Sequence, residues 1–331
     1  MAHYLVTGAA GFIGARVVEM LLEDGHAVYG VDNMNDAYDV RMKEFRLKNL
    51  LGQPGFQYMQ MDISNREEVA EVFKKASQNQ TSGEIQGVIN LAARAGVRQS
   101  VENPWVYVDT NITGTLNLLD CCRRYGTGKF ILASTSSLYG ADAPLPTPET
   151  ASSDLPLQPY AASKKGAEAL CHAYHYLFGI DVTIFRYFTV YGPAARPDMV
   201  MFRLAQWISE SRPVRLNGDG EQSRGFTYID DIARGTILGL RPLGYQIINL
   251  GGHETIKINE LIHLFEELIG RQAQIEYRPA HPADMQANWA DVNKAREVIG
   301  WRPEISLREG ISNLVAWYKS ERDWASQIHT E

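Results

Sequence analysis

The opening of the chain changes its hydrophobic period twice. In "HYLVTGAAGFIGARVVEMLLEDGHAVYGVDN" a short apolar run gives way to a glycine turn, then to an amphipathic stretch, then to a second apolar run ending at Val31. That order predicts strand, helix and strand, a βαβ unit. Five further strand-like runs, "FQYMQMD", "GVINLAA", "KFILAST", "DVTIFRYF" and "QIINLGG", alternate with helix-like stretches that include 102–124 and 160–178. The alternation predicts an α/β fold, a Rossmann-like doubly wound parallel sheet covered on both faces. After about residue 192 the texture changes to "GPAARPDM", "NGDGEQSRGFTYIDD" and a helical tail, while "YQIINLGG" reads as a return to the sheet. The division expected is therefore a dinucleotide-binding domain over 1–192 with a sheet return near 243–254, and a smaller lobe from 193–242 and 255–331.

Composition narrows the class without choosing a function. With 331 residues, 45% of them hydrophobic and 21% charged, the chain can bury a sizeable core in two lobes. A net charge of −7 with no basic run argues against a nucleic-acid footprint, so a phosphate-bearing ligand must be held by a few local groups. The residues "MAHYLVTGAA" enter a strand directly, without a charged leader or long apolar run, so no membrane partner is expected and the cytoplasm is. Cys121, Cys122 and Cys171 are odd in number and lack metal-ligand spacing, which favours reduced core thiols over disulfides or a metal.

Candidate chemistry starts at the first turn. In "TGAAGFIG", Gly8, Gly11 and Gly14 stand between the first strand and first helix, where backbone must turn sharply and approach a pyrophosphate at a helix N-terminus. Asp32 follows Gly14 by 18 residues at the end of the second strand. A carboxylate there accepts both adenosine ribose hydroxyls and repels a 2′-phosphate, which favours NAD over NADP. Asp62 and Ile63, ending the third strand, would lie near the adenine. Further along, "YAASKKGAEAL" puts Tyr160 and Lys164 one helical turn apart, where the ammonium could lower the phenol pKa, although an ordinary surface pair has the same spacing.

Taken in order, "TGAAGFIG", "NLAA", "ASTSSLYG" and Tyr160 with Lys164 resemble the extended short-chain dehydrogenase/reductase superfamily over essentially the whole chain. The resemblance implies a catalytic set of Thr135, Tyr160 as base and Lys164, with Asn111 in support. It also implies NAD contacts from Gly8, Gly11, Phe12, Ile13, Gly14, Asp32, Asn33, Asp62, Ile63, Leu91, Ala92 and Ala93, besides Tyr160 and Lys164. By position, Lys164 together with the nicotinamide would bring Tyr160 from about 10 towards about 7.

The residues after Thr135 discriminate within the superfamily. Nucleotide-sugar 4,6-dehydratases carry Asp and Glu there, and UDP-glucuronate decarboxylases a Glu at the second place, whereas this chain has Ser136 and Ser137. A reaction without a second proton-transfer carboxylate is a 4-epimerisation with retained NAD. "NLAARAGVRQSVENPWVYVDTNITGT", "RYFTVYGPAARPDM" and "RGFTYIDDI" are most similar to UDP-glucuronate 4-epimerases. That similarity implies a sugar site with Arg98, Ser136, Ser137, Thr189 and Arg196, the last for the carboxylate, and Arg224 on the diphosphate of a UDP-sugar. The alternatives are a UDP-glucose or UDP-N-acetylhexosamine epimerase, a decarboxylase, or a non-catalytic NAD-sensing module, and bracing of Arg196 by Asp198. Gly225 stands where relatives commonly carry Asp, and His281 where many carry Arg or Gln. Trp301 and Trp317 read as core, and helices 102–124 and 160–178 are the pair through which relatives dimerise, so a homodimer is expected.

Overall fold

The computed structural model describes residues 1–78, 84–279 and 286–330, so His281 lies outside the described residues. Thirteen strands follow one another: β1 His3–Thr7, β2 Ala27–Asp32, β3 Phe56–Gln60, β4 Gly87–Asn90, β5 Lys129–Thr135, β6 Asp181–Tyr187, β7 Thr189–Tyr191, β8 Val214–Asn217, β9 Ser223–Tyr228, β10 Tyr245–Leu250, β11 Glu254–Lys257, β12 Ile275–Arg278 and β13 Ala287–Asn288. Seven of them form one sheet in the order β10-β6-β5-β4-β1-β2-β3, every neighbouring pair parallel. Buried on both faces, β2, β4 and β5 expose no residue, which is why their sequences are apolar without alternation.

The chain runs outward from β1 through β2 to β3, then crosses back to lay β4 on the other side of β1. This reversal opens a crevice beyond the carboxyl ends of β1 and β4, where open α/β sheets bind ligands. The "YQIINLGG" run returns as β10 and pairs with β6. A four-stranded sheet of β7, β9, β11 and β13, and the parallel pair β8 and β12, build a second layer of structure over the crevice with helices Val200–Ser209, Ile258–Ile269 and Leu307–Ser320. The helix Ile229–Leu238 packs on the first helix, Phe12–Glu23, where Arg16 pairs with Asp230 at 2.8 Å.

The helix expected over 102–124 is not continuous. Asn103 has φ −137° and ψ 82°, outside the helical region, as the ring of Pro104 demands of its predecessor, and helix restarts at Trp105. Residues Val108–Thr113 then form a π-turn before the α-helix Gly114–Tyr125. Within the π-turn the Asn111 Oδ1 accepts from the Arg94 amide at 2.9 Å, and its Nδ2 donates to the Arg94 carbonyl and to Ser163 Oγ. The wide turn thus aims one amide at a loop and a neighbouring helix together.

Trp301 is fully buried, with its indole N–H on the Asp231 carbonyl. Trp317 is half-buried in a ring cluster with Phe45, Phe202 and Trp324, so it lies at the rim rather than in the core. Cys121, Cys122 and Cys171 are buried free thiols, and burial raises all three pKa values. Among the described residues no helix is long and apolar enough to cross a membrane.

Candidate active site

Above the reversal lies a cavity of about 770 Å³, and the site residues expected from the sequence line it, including Gly8 and Arg224, with the exception of Asn111, which lies behind the wall. Its first wall is the glycine turn. Gly8 has φ +70°, and a Cβ there would sit 2.9 Å from the Ala92 amide nitrogen, so the turn is seated directly on the Leu91–Ala93 backbone. Gly11 is the cap of the first helix and has no side chain to satisfy the orphan amides, and no acidic residue occupies the first turn. Those amides therefore remain available to an anion. Gly14 is closest of all: a Cβ would meet the Gly8 carbonyl oxygen at 2.0 Å. The turn can close this tightly on itself and on the residues after β4 only because these atoms are absent.

Asp32 is buried at the end of β2, with its carboxylate oriented by the Met34 amide at 2.9 Å, the Ala10 amide at 3.3 Å and Lys43 Nζ at 3.2 Å. Asp62 accepts from Asn33 Nδ2 at 2.8 Å and from Ser64. Burial works against its charge, but those hydrogen bonds hold the carboxyl below its ordinary value. Two anchored acids thus stand at the β2 and β3 edges of the cavity.

The opposite wall carries Thr135, Tyr160 and Lys164. Thr135 ends β5, and its Oγ1 accepts from the Ser137 amide at 3.1 Å, capping a short turn over Ser136–Tyr139. Pro159 opens the helix Pro159–Phe178, and its 20 residues place Tyr160, Lys164 and Glu168 on one stripe. Lys164 Nζ donates to the Ala133 carbonyl at 2.8 Å, and burial lowers its pKa to about 8 against the opposing pull of Glu168. Glu168 in turn forms a buried pair with Arg186 at 2.8 Å and accepts from Ser134 Oγ.

Tyr160 is governed first by burial. Burial raises its pKa above 10, and what pulls the other way is the hydrogen bond with Thr135 and the charge of Arg196, not Lys164. The ammonium is directed at the Ala133 carbonyl and is itself easier to deprotonate than usual, so the pair alone does not bring the phenol towards about 7. Tyr107 packs edge-on to Tyr160 at 6.1 Å and donates to the Ala95 and Gly96 carbonyls, tying the phenol to the turn that leads into the helix Val97–Glu102, which carries Arg98.

On the substrate side, Arg196 is bidentate to Asp198, with Nε to Oδ1 at 3.0 Å and Nη2 to Oδ2 at 2.6 Å. The bracing weighed for Arg196 is therefore real, and the same contact fixes the plane of its guanidinium at the cavity wall. Gly225 has a local cause: a Cβ there would meet the Gly252 carbonyl oxygen at 2.1 Å, so this chain has no room for an Asp at that place. Arg224 Nη1 donates to the Ser223 carbonyl at 2.9 Å. Sequence reasoning did not find Tyr38, Lys43, Arg46, Tyr107 or Glu168. Only Glu168 had a local signal, one helical turn beyond Lys164 on the stripe that begins at Tyr160.

Open sheets with this strand order take a dinucleotide across the point where the order reverses, and a half-buried Tyr160 with a buried Lys164 beside that point is the arrangement of extended short-chain dehydrogenases/reductases. The chain belongs to the family described as GDP-mannose 4,6 dehydratase, which matches residues 5–314. It is 55% identical over 329 residues to a UDP-glucuronate 4-epimerase of Thermodesulfobacterium geofontis (strain OPF15), covering 99% of each chain. Among solved structures it is similar to the UDP-glucuronic acid 4-epimerase of Bacillus cereus in complex with UDP-glucuronic acid and NAD, with TM-score 0.88, 35% identity, and 96% and 99% of the two chains covered. The UDP-glucose 4-epimerase of Thermotoga maritima with UDP-glucose matches with TM-score 0.87 at 31% identity, over 97% and 99%.

Proposed function

We propose that this protein is a UDP-glucuronate 4-epimerase that interconverts UDP-glucuronate and UDP-galacturonate with a retained NAD. The observation that carries the reading is the acid–base inventory of the cavity. Among the described residues lining it the carboxylates are Asp32, Asp62 and Asp198, the first two on the far sheet edge and the third bound to Arg196. None follows Thr135, where Ser136 and Ser137 stand. Elimination of water needs a second proton-transfer group; epimerisation needs one base and a means of turning the sugar.

The glycine turn, Asp32, Asp62 and the Leu91–Ala93 backbone are the groups that would hold NAD, and the missing Cβ atoms at Gly11 and Gly14 let the turn close on the Gly8 carbonyl beside the uncapped helix amides. NAD, when bound, supplies a hydride acceptor and donor for C4 and a positive ring near the phenol. The chain does the rest. Tyr160 takes the proton of the sugar 4-hydroxyl and later returns it, Thr135 holds the phenol by hydrogen bond, and Lys164 fixes the ribose side of the site. Arg196, with Ser136, Ser137 and Thr189, would hold the sugar carboxylate. Restraint matters because the 4-keto sugar is a β-keto acid, which loses CO2 when its carboxylate turns perpendicular to the carbonyl plane.

A second reading, a UDP-glucose 4-epimerase, is favoured by the Arg196–Asp198 pair, which offsets part of the charge offered to an acid. One experiment separates them: UDP-glucuronate and UDP-glucose are each incubated with purified protein without reductant and followed by proton NMR. Conversion of the first to UDP-galacturonate without net NADH or CO2 is expected, and conversion of UDP-glucose alone rejects the carboxylate site.

We further infer a two-lobed division at about residue 192, cytoplasmic residence and a homodimer. The dimer reading rests on two sets of exposed apolar residues on the helix pair around 102–124 and 160–178, Val101, Trp105, Val108 and Leu116 towards one end and Tyr176, Leu177 and Phe178 at the other. Exposed apolar surface spread along a helix pair suits a helix-to-helix interface.

A further inference from the structure

Arg46 lies on the helix Arg41–Leu50, behind the cavity and outside its lining, yet its guanidinium joins the two loops that build it. Nε and Nη2 donate to the Ala194 carbonyl at 2.9 and 2.8 Å, and Nη1 donates to the Ala10 carbonyl at 3.0 Å and to the Tyr38 hydroxyl at 3.0 Å. Ala10 belongs to the glycine turn, and Ala194 precedes Arg196 by two residues. Ala194 also has φ +53°, a left-handed conformation that costs an alanine about 1 kcal/mol and needs external support. The fork of Arg46 on its carbonyl is such support.

Charge makes the arrangement more specific. Lys43 pairs with Asp32 and Arg196 with Asp198, while among the described residues every hydrogen bond of the buried Arg46 goes to a neutral acceptor. The ring of Tyr38 lies between all three cations, 5.6 Å from Lys43, 5.6 Å from Arg46 and 5.8 Å from Arg196. A quadrupolar face holds cations that would otherwise repel one another. Dinucleotide acid, aromatic hub and substrate arginine thus form one packed unit.

We propose that Arg46, braced by Tyr38, is a positioning residue that straps the Arg196 loop to the dinucleotide turn and so keeps the sugar carboxylate in the plane of the 4-keto group. The inference rests on the reading of Arg196 as the carboxylate partner. When the strap fails, the carboxylate rotates out of plane and the C5–C6 bond breaks. Its electron pair passes into the C4 carbonyl to give the enolate, CO2 leaves, and C5 then takes a proton from water. Arg46 lies outside the cavity lining, so its loss should change the outcome of turnover more than its occurrence.

The test uses Arg46→Lys, which keeps the charge but cannot span both carbonyls, beside the milder Tyr38→Phe and the direct Arg196→Met. For Arg46→Lys the KM for UDP-glucuronate should rise about tenfold, as for a lost charged hydrogen bond, while the inhibition constant of UDP stays within about twofold. CO2 should appear in a fraction of turnovers, and amide exchange should speed up over 194–199; Tyr38→Phe should move both the same way, by less. If Arg196→Met leaks CO2 while both other variants epimerise cleanly with wild-type exchange over 194–199, the strap is overturned and the carboxylate reading survives. If Arg196→Met itself leaves the KM for UDP-glucuronate unchanged, that reading fails and the strap with it.

Discussion

Gly14→Ala tests the dinucleotide turn against a competing gain. Gly14 is the third residue of the helix Phe12–Glu23, and alanine in a helix is favoured over glycine by about 1 kcal/mol. The added Cβ would, however, lie 2.0 Å from the Gly8 carbonyl oxygen and 2.8 Å from its carbon. Ordinary contact needs about 3.5 Å, so the turn must open by about 1.5 Å. Gly8 cannot retreat, because its carbonyl accepts from the Gly11 amide at 2.8 Å and its Cα faces the Ala92 nitrogen. Overpacking that side chains can relieve costs about 1–3 kcal/mol, and here both parties are backbone, so the clash outweighs the helix gain.

An opened turn misdirects the amides that a pyrophosphate would use. Losing two such charged hydrogen bonds, about 1.5–3 kcal/mol each, weakens NAD by about 100-fold or more. The assay is the rise in Tm with added NAD on protein stripped of nucleotide, where a hundredfold loss of affinity removes about 2.7 kcal/mol of ligand stabilisation. Gly166→Ala is the control, since its Cβ would meet only the Ile112 side chain, at 2.9 Å from Cδ1, which can rotate away. A Gly14→Ala protein with the wild-type NAD response would refute the seating of the cofactor on this turn.

Tyr160→Phe should lower epimerisation by about 10²–10⁴-fold while NAD binding persists; undiminished turnover by sugar NMR removes Tyr160 as the base. Asp32→Asn leaves Lys43 buried beside a neutral amide, so the ratio of NADP to NAD affinity, read by calorimetry, should rise about tenfold or more, and an unchanged ratio argues against a ribose-facing Asp32. Lys164 has its pKa lowered to about 8 in the folded chain from 10.5, so the unfolded chain holds more protons between those values and stability contributed by this group rises with pH across them. The stability difference between wild type and Lys164→Met, from urea midpoints, should therefore grow from pH 8 to pH 10; a flat difference contradicts a buried ammonium. Trp105→Glu with Leu177→Glu should give a monomer by light scattering, and a persisting dimer places the interface elsewhere.

How much of this was legible in the sequence follows from where the forces act. Period changes located the sheet and the order of its elements, because the middle of a strand buried on both faces is mostly apolar, with polar residues such as Asp32, Asn90, Lys129 and Thr135 at its ends. Strand ends are equally readable, since each βα turn has its own chemistry, as in Gly8 to Gly14 and Ser134 to Tyr139. The broken helix at 102–124 was not, for its π-turn is held by the Asn111 amide on Arg94 and Ser163, partners 17 and 52 residues away. Lys43 and Arg46 were hidden for a different reason. In "VRMKEFRLKNL" they look like Lys48, which is exposed; only the fold of the Ala194 loop over that helix buries two of its cations.

The same argument applies to the phenol. Spacing on a helix set Lys164 one turn from Tyr160, but spacing carries no information on burial, and burial dominates both groups, raising the phenol and lowering the amine. The cation whose charge reaches Tyr160 is Arg196, contributed by a loop after β7 that no local pattern connects with the helix. If Arg196 also receives the sugar carboxylate, binding an acidic sugar partly neutralises the charge that favours the phenolate, so recognition of the acid works against deprotonation of Tyr160 unless Thr135 and the cofactor offset it. Substrate recognition and proton transfer then share one guanidinium, whose geometry is set by Asp198 in front, Tyr38 beside it and Arg46 behind.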